Sequence, residues 1–160
     1  MNSENKISEI NEISVRKAVV SDLSDIEQCA NAAYSKYIDR IGKKPAPMVA
    51  DFAACISKNT VSVALSGKTL AGYIVFFNKD QHLQIENVAV FPSFAGIGIG
   101  RVLLEHAEAS ARNRSLTAIE LYTNAVMFEN ISMYSYLGFE EIERKEEAGF
   151  KRVFFRKLLC

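Results

Sequence analysis

The sequence predicts an α/β (α+β) protein with a mixed, mostly antiparallel sheet of about seven strands and about four helices on both faces. Three apolar stretches between residues 60 and 90 are separated only by short polar turns, which is typical of antiparallel strands. Two helical patterns follow, and each leads into a further apolar strand, as crossover connections do. With 49% hydrophobic and 24% charged residues, the 160-residue chain can bury a substantial core in one domain.

The N-terminal part of this domain predicts a strand followed by two helices. Apolar and polar residues alternate over 13–18, as in a short strand. Ser21 is then expected to cap a helix whose apolar stripe extends to Tyr37. The proline-containing segment 43–47 ends this helix, and a second short helix is predicted over 48–57.

The rest of the chain alternates strands and helices. Ser66-Gly67-Lys68 predicts a tight hairpin turn, and Gly138 lies where a helix is expected to end. The complete order is strand, two helices, three strands, helix, strand, helix, two strands. These later elements are predicted as strands over 60–65, 69–77 and 83–90, a helix from Arg101, a strand over 118–122, a helix over 127–137, and strands over 139–145 and 150–158.

Charge and hydropathy exclude several classes of partner. The chain has 19 Lys plus Arg residues and 19 Asp plus Glu residues. Nonspecific electrostatic binding of nucleic acid is therefore not expected. No apolar run approaches the roughly 18 residues of a membrane span. The polar residues 1–12 are interpreted as a flexible tail before a single domain over 13–160, and they lack a signal-peptide core. A cytoplasmic protein is therefore expected.

The cysteines agree with that interpretation. Cys29, Cys55 and Cys160 are odd in number and widely spaced, without the pairing typical of zinc sites. We expect reduced thiols, with Cys29 and Cys55 as small core residues, and no bound metal.

A glycine-rich turn between strand and helix is the most informative segment. After the strand over 83–90, Gly96, Gly98 and Gly100 alternate with isoleucines, and a helical pattern begins. Glycines let an anionic group approach the main chain, and the first N–H groups of the helix point towards it. A phosphorylated ligand is therefore predicted, with helix-on-strand packing as the alternative explanation for the glycines.

Two other phosphate-binding motifs fit this turn less well. The P-loop motif is excluded because no Gly-Lys-Ser/Thr sequence follows the glycines. The dinucleotide fingerprint requires glycine at position 101, which is Arg, although Glu120 lies about 20 residues further on, as a ribose-binding acid should.

The segment 92–104 resembles the acyl-CoA pyrophosphate loop of the GNAT acetyltransferase superfamily, usually written Q/R-x-x-G-x-G/A. Gly98 and Gly100 fill the glycine positions, but Ala95 stands where Gln or Arg is usual. Tyr134-Ser-Tyr-Leu-Gly-Phe139 is similar to the family's Y-x-x-L-G-F segment, and 150–157 is similar to the last strand of a small bacterial single-domain branch. The resemblance covers 13–159.

This resemblance implies an acetyl-CoA-dependent N-acetyltransferase acting on a primary amine of a small molecule or peptide. A noncatalytic acyl-CoA-binding module is the alternative. The central strand is expected to separate from its neighbour near 88–90, where the Val90 N–H would polarise the thioester carbonyl. The residues implied to contact acetyl-CoA are Val88, Ala89, Val90, Ala95, Gly96, Ile97, Gly98, Ile99, Gly100, Arg101, Asn124 and Asn130.

Two catalytic residues follow from the same resemblance. Tyr134 is the expected general acid for the CoA thiolate, with an aromatic core residue as the alternative. Glu86 is the expected general base, acting through water. Its alternatives are a solvent-facing glutamate or deprotonation of the amine by bulk water. His82 and His106 are interpreted as solvated.

The acceptor is expected under the helix-loop-helix region of residues 22–57. A substrate with a carboxylate or phosphate would suit its aromatic and cationic side chains, and a solvated basic loop is the alternative. Analogy with the family suggests a homodimer through the C-terminal strands, whose apolar residues otherwise face the core. The residues concerned are Tyr34, Tyr37, Arg40, Lys43, Lys44 and Met48 for the acceptor, and Val153, Phe154 and Phe155 for the dimer.

Overall fold

The computed structural model describes residues 12–159, in which seven strands form a mixed sheet. The strand order is β1-β2-β3-β4-β5-β7-β6. Strand β4 pairs with β5 in parallel, whereas the pairs β1–β2, β2–β3, β5–β7 and β6–β7 are antiparallel. The predicted fold class is confirmed. The strands are β1 Ile13–Lys17, β2 Val61–Ser66, β3 Thr69–Lys79, β4 His82–Val90, β5 Ala118–Asn124, β6 Glu140–Glu147 and β7 Phe150–Leu158.

Five α-helices occur in this part of the chain, one of them a single turn. Four of them follow the predicted order, and the single turn is additional, because the first helix ends at Tyr34 rather than Tyr37. Short 3-10 turns lie before or between the helices. The helices are α1 Leu23–Tyr34, α2 Ile38–Ile41, α3 Phe52–Ser57, α4 Ile99–Asn113 and α5 Phe128–Tyr136. The 3-10 turns are Val20–Asp22, Ser35–Tyr37, Ala46–Val49 and Pro92–Phe94.

The chain divides into two compact units. The first comprises the residues up to Val75 together with Asn87–His106, and the second comprises Phe76–Glu86 with the residues from Ala107 onward. Strands β3 and β4 therefore each contribute to both units. The single domain over 13–160 stays a prediction, and the predicted tail lies outside the described residues except for Glu12.

The core of the first unit contains buried residues of α1, of the start of α4 and of strands β2 and β3. Ile26, Cys29 and Ala30 of α1 are almost completely buried, as are Val63 and Tyr73 of the strands. The burial of Cys29 confirms one cysteine prediction, whereas Cys55 is only half-buried and Cys160 lies outside the described residues.

Gly72 of β3 allows an unusually close approach of main chain within the first unit. A Cβ atom at this position would lie 2.6 Å from the Ala89 carbonyl oxygen and 3.3 Å from the Val90 Cα. Only glycine fits there without moving β4, because real Cβ contacts do not reach that distance.

The second unit is built on the pairing of β4, β5, β7 and β6. The parallel register of β4 with β5 begins at His82–Ala118 and ends at Ile85–Leu121. One face of these strands forms a core that includes Ile119, Leu121, Val153 and Phe155, all almost completely buried. Since Val153 and Phe155 face this core, the prediction that they offer apolar surface for a dimer is wrong, and only Phe154 is half-buried.

Three predicted helix starts are also wrong. The first helix begins at Leu23, with Asp22 rather than Ser21 at the N-cap. The Asp22 carboxylate instead accepts the Val19 N–H at 2.8 Å and the Arg16 guanidinium at 2.8 and 3.1 Å, which orders the 3-10 turn before the helix. These bonds hold the pKa of Asp22 below its usual range, chiefly through Arg16.

The other two helices begin where local hydrogen bonding favours them. The helix predicted from residue 48 begins at Phe52, because the Asp51 carboxylate accepts the Ala54 N–H at 3.0 Å. The long helix predicted from Arg101 begins two residues earlier, at Ile99. Among residues 12–159, no helix has both the length and the apolar character that a membrane crossing requires.

Candidate functional site

The first unit carries the predicted phosphate-binding turn. Pro92–Phe94 forms a 3-10 turn after β4, and Gly96 and Gly98 then adopt left-handed φ values of 81° and 90°. The Val102 N–H donates to the Gly98 carbonyl at 3.0 Å, so the amides of residues 99–101 precede this helical bond. The first N–H groups of a helix have no intrahelical partner and attract anions.

The space around these glycines separates the two explanations offered for them. A Cβ atom at Gly96 or Gly98 would have no neighbour within 4 Å, and one at Gly100 would make an ordinary 3.8 Å contact with Val90 Cγ2. Packing therefore does not require glycine at any of the three positions. At Gly96 and Gly98, glycine is needed for the left-handed conformation, which leaves an open turn at a helix N-terminus.

The residues around the turn differ in exposure. Ala95 is exposed, Ile97 is half-buried and Ile99 is buried as the first residue of α4. The exposed Arg101 guanidinium donates through Nε to Glu105 Oε1 at 3.1 Å. This exposed pair contributes little to stability, so the guanidinium could exchange it for another anion at small cost.

The predicted acceptor residues of the first unit lie on α1 and the segments after it. Tyr34 and Tyr37 are both buried, with ring centroids 6.3 Å apart. The exposed Arg40 guanidinium lies 5.3 Å from the Tyr37 ring centroid, and Met48 is half-buried in its 3-10 turn. Their role with the acceptor stays a prediction, since these contacts serve a structural role equally well.

Tyr34 also contacts the strand predicted to bind pantetheine. Its hydroxyl donates to the Val88 carbonyl at 2.8 Å and lies 3.2 Å from Asn87 Oδ1.

The buried Tyr73 hydroxyl has no hydrogen-bond partner among the described residues. Burial raises the pKa of Tyr73 well above its usual value, and the nearby Asn87 side chain opposes this only in part. Burial also raises the pKa of the Cys29 thiol to about 12, which makes it a poor nucleophile.

The second unit places Glu86 beside Tyr122, a residue for which the sequence predicted no role. Tyr122 Oη donates to Glu86 Oε1 at 2.7 Å, although Glu86 is an exposed residue. The Arg152 guanidinium lies 4.3 Å from the Tyr122 ring centroid and donates to Glu147 Oε1 at 2.9 Å. Burial, and then the Glu86 carboxylate, raise the pKa of Tyr122, so its hydroxyl keeps its proton and acts as a donor.

Tyr134 is buried on α5. Its ring contacts those of Phe139 and Phe155, with centroids 6.0 and 5.8 Å apart. The Phe139 N–H donates to the Tyr134 carbonyl at 3.0 Å, and Gly138, with a φ of 93°, ends the helix as predicted. These contacts fix the ring, and its role as general acid stays a prediction.

The two predicted CoA-contacting asparagines hold the connection between β5 and α5. Asn124 Oδ1 accepts the Val126 N–H at 3.1 Å. Asn130 Nδ2 donates to Thr123 Oγ1 at 3.4 Å. Both side chains therefore shape a turn of the second unit, and contact with CoA stays a prediction.

The prediction that both histidines are solvated is wrong for His82. His82 Nδ1 lies 3.4 Å from Glu120 Oε2, and only 16% of the His82 side chain is exposed. Glu120 also accepts two bonds from Arg156, at 2.7 and 3.1 Å, so the acid expected of a dinucleotide site is already paired. His106 is half-buried, with Nε2 3.3 Å from the Ser62 hydroxyl.

The family comparison bears directly on the open glycine turn. Residues 25–139 match the model of the acetyltransferase (GNAT) family. The chain belongs to the GNAT family. The match includes both the glycine turn and the Tyr134–Phe139 segment, so the predicted family is confirmed.

Among curated proteins, this GNAT protein is 36% identical over 85 residues to streptothricin acetyltransferase from Streptomyces lavendulae. That alignment covers 52% of this chain and 44% of the relative, so it spans less than half of the relative's length.

Solved structures of GNAT proteins share the fold at low identity. The ribosomal-protein-S18-alanine N-acetyltransferase from Escherichia coli has a TM-score of 0.75 at 17% identity, over 91% of this chain and 93% of that one. PaiA N-acetyltransferase from Thermoplasma acidophilum, in complex with coenzyme A, has a TM-score of 0.71 at 17% identity, over 92% and 99%. Naa50 from Arabidopsis thaliana, in complex with the bisubstrate analogue CoA-Ac-MVNAL, has a TM-score of 0.70 at 16% identity, over 91% and 98%.

Proposed function

We propose that this GNAT protein is an acetyl-CoA-dependent N-acetyltransferase that moves the acetyl group to a primary amine of a small molecule or peptide. The observation that carries the proposal is the open turn at Gly96 and Gly98, directly before α4, in a chain of this family. Its main-chain amides suit a diphosphate, because they offer several N–H donors without side chains in the way.

The cofactor contacts are assigned mainly to main-chain groups of the first unit. The amides of residues 95–101 bind the diphosphate, and Arg101 adds a charge-assisted bond. The main chain of Val88, Ala89 and Val90 binds the pantetheine arm, and the Val90 N–H stabilises the carbonyl oxygen as it gains charge. Asn124 and Asn130 contribute further polar contacts.

The chemistry is assigned to side chains of the second unit. Glu86, directly or through a water, takes a proton from the ammonium group so that the neutral amine attacks the thioester carbon. As the C–N bond forms and the C–S bond breaks, Tyr134 gives its proton to the departing thiolate. The amine nitrogen loses its second proton, which restores Tyr134 through solvent, and Glu86 releases the proton it took to solvent. The scheme needs no metal.

The acceptor is assigned to the aromatic and cationic side chains of Tyr34, Tyr37, Arg40 and Met48. One relative is named as a streptothricin acetyltransferase, and one structural neighbour carries a peptide-based bisubstrate analogue. These names define the acceptor classes to test first. A cytoplasmic location and a homodimer complete the proposal, but the dimer surface is not that of Val153 and Phe155.

The decisive experiment measures thiol release from acetyl-CoA across a panel of primary amines. The panel includes streptothricin, amino acids, polyamines and short peptides with free N-termini. Release that depends on one amine class, with the acetylated product seen by mass spectrometry, supports the proposal. Calorimetric binding of acetyl-CoA with no turnover of any amine would favour the alternative, an acyl-CoA-binding module. Absence of acetyl-CoA binding would contradict both.

A further inference from the structure

The contact between Tyr122 and Glu86 indicates a role for Tyr122, which is not one of the two proposed catalytic residues, Tyr134 and Glu86. The parallel register pairs Gln84 with Glu120 and Ile85 with Leu121, which brings Tyr122 alongside Glu86. The resulting hydrogen bond from Tyr122 Oη to Glu86 Oε1 is 2.7 Å long. A phenol that donates to one carboxylate oxygen fixes the rotamer of the carboxylate and leaves its other oxygen for a proton from the substrate.

Strand β7 in turn holds the tyrosine ring. The Phe154 ring packs against it with a centroid distance of 5.7 Å, and the Arg152 guanidinium lies 4.3 Å from its centroid. Arg152 is itself held by Glu147, and only 12% of its side chain is exposed. Each side chain from Glu147 to Glu86 therefore contacts the next, and the position of the Glu86 carboxylate is set by packing within the second unit.

We propose that Tyr122 is a positioning residue that holds the Glu86 carboxylate in the orientation needed to accept a proton from the acceptor amine. Arg152 and Glu147 support it by fixing the Tyr122 ring. This inference rests on the proposed function, since it assumes that Glu86 is the base. It goes beyond that function by explaining how an exposed glutamate keeps one orientation in water, where a free side chain would sample several.

The test compares Tyr122→Phe, Glu86→Gln and the double variant with the unchanged enzyme, using an amine that it acetylates. Tyr136→Phe is the matched control, because Tyr136 lies in the same unit and is 84% exposed. Tyr122→Phe should lower kcat roughly tenfold, the lower end of the effect of removing a hydrogen bond to a charged group. The KM for acetyl-CoA should stay within about twofold, because only the transition-state contribution of Glu86 is affected.

The kcat of the double variant distinguishes positioning of Glu86 from a general packing role of Tyr122. If Tyr122 acts through Glu86, adding Tyr122→Phe to Glu86→Gln should cause no further loss of kcat. Losses that multiply in the double variant, or a Tyr122→Phe enzyme as active as Tyr136→Phe, would overturn the inference and leave the proposed function intact. If the unchanged protein acetylates no amine, the proposed function fails and the inference fails with it.

Discussion

The candidate site of the first unit is made mainly of main-chain groups, whereas that of the second unit is made of side chains. In the first unit, the turn from Ala95 to Arg101 offers main-chain amides, and its glycines matter because they have no side chains. In the second unit, Glu86, Tyr122 and Tyr134 are side chains held by packing and hydrogen bonds. Substitutions in the first unit should therefore act through backbone conformation and binding, whereas those in the second should act on individual proton transfers.

The largest effect is expected from Tyr134→Phe in the second unit. Removing the hydroxyl takes away the proton donor for the thiolate, and kcat should fall about 100-fold, at the low end of general acid catalysis. Steady-state kinetics with a saturating amine measures this loss, and Tyr136→Phe on the same helix should leave kcat unchanged. If Tyr134→Phe keeps full turnover, the buried ring is only a core residue.

Gly72→Ala tests the backbone dependence of the first unit. The new Cβ atom would lie 2.6 Å from the Ala89 carbonyl oxygen, so β4 must shift at a cost of about 1–3 kcal/mol in the free energy of unfolding. Urea denaturation measures the change. Gly100→Ala is the stability control, because its Cβ atom meets only Val90 Cγ2 at 3.8 Å and the residue lies in a helix. Equal stability of the two variants would show that β4 yields freely at Ala89.

Gly98→Ala tests whether the glycine turn binds the cofactor. Its left-handed φ of 90° disfavours alanine by about 1–2 kcal/mol, so the turn should relax and acetyl-CoA should bind about tenfold more weakly. Gly42→Ala provides a matched strain, since Gly42 has a φ of 84° and also has open space around it. Isothermal titration should find weaker binding only in Gly98→Ala, and a similar loss in both variants would argue against a cofactor role for the turn.

The smallest expected effect concerns acid stability in the first unit, away from the site. Asp22 has a lowered pKa because Arg16 and the Val19 N–H stabilise its carboxylate. Its contribution is therefore present above the unfolded-state pKa of about 3.9 and is lost as the pH falls through the lower folded-state pKa.

Asp22→Asn removes this contribution and should cost about 1–2 kcal/mol at pH 7. The free energy of unfolding should then depend less on pH below about 5 than in the unchanged protein. Urea denaturation at several pH values measures both slopes. Identical slopes would mean that other carboxylates control the acid stability.

Most of the fold and the backbone part of the site could be predicted from the sequence, because their signals are local. Apolar segments bounded by turns predicted β1, β2 and β7 to within one residue at each end, and the run of glycines marked a turn that needs left-handed conformations. Such signals can be interpreted without any knowledge of the neighbouring strands.

The side-chain part of the site was less accessible for a physical reason. Tyr122 and Glu86 are 36 positions apart, and only the parallel register of β4 and β5 brings them together. The same register places His82 beside Glu120, which is why a histidine expected in water is paired. At Asp22, a carboxylate bonded to Arg16 of the preceding strand replaced the local cap expected at Ser21. In the first two cases, a contact between residues far apart in the sequence decided the outcome, whereas Arg16 and Asp22 are only six positions apart.

The charged edge of the second unit has a consequence for self-association. Strand β6 carries five glutamates against Arg144 and Lys145, a net charge of −3 if all are ionised, and its side chains are mostly exposed. Two copies aligned along this border would bring two such surfaces within a few ångströms, where like charges repel. The like charges on β6 thus oppose association of two copies along this strand, and a homodimer would have to form on another surface.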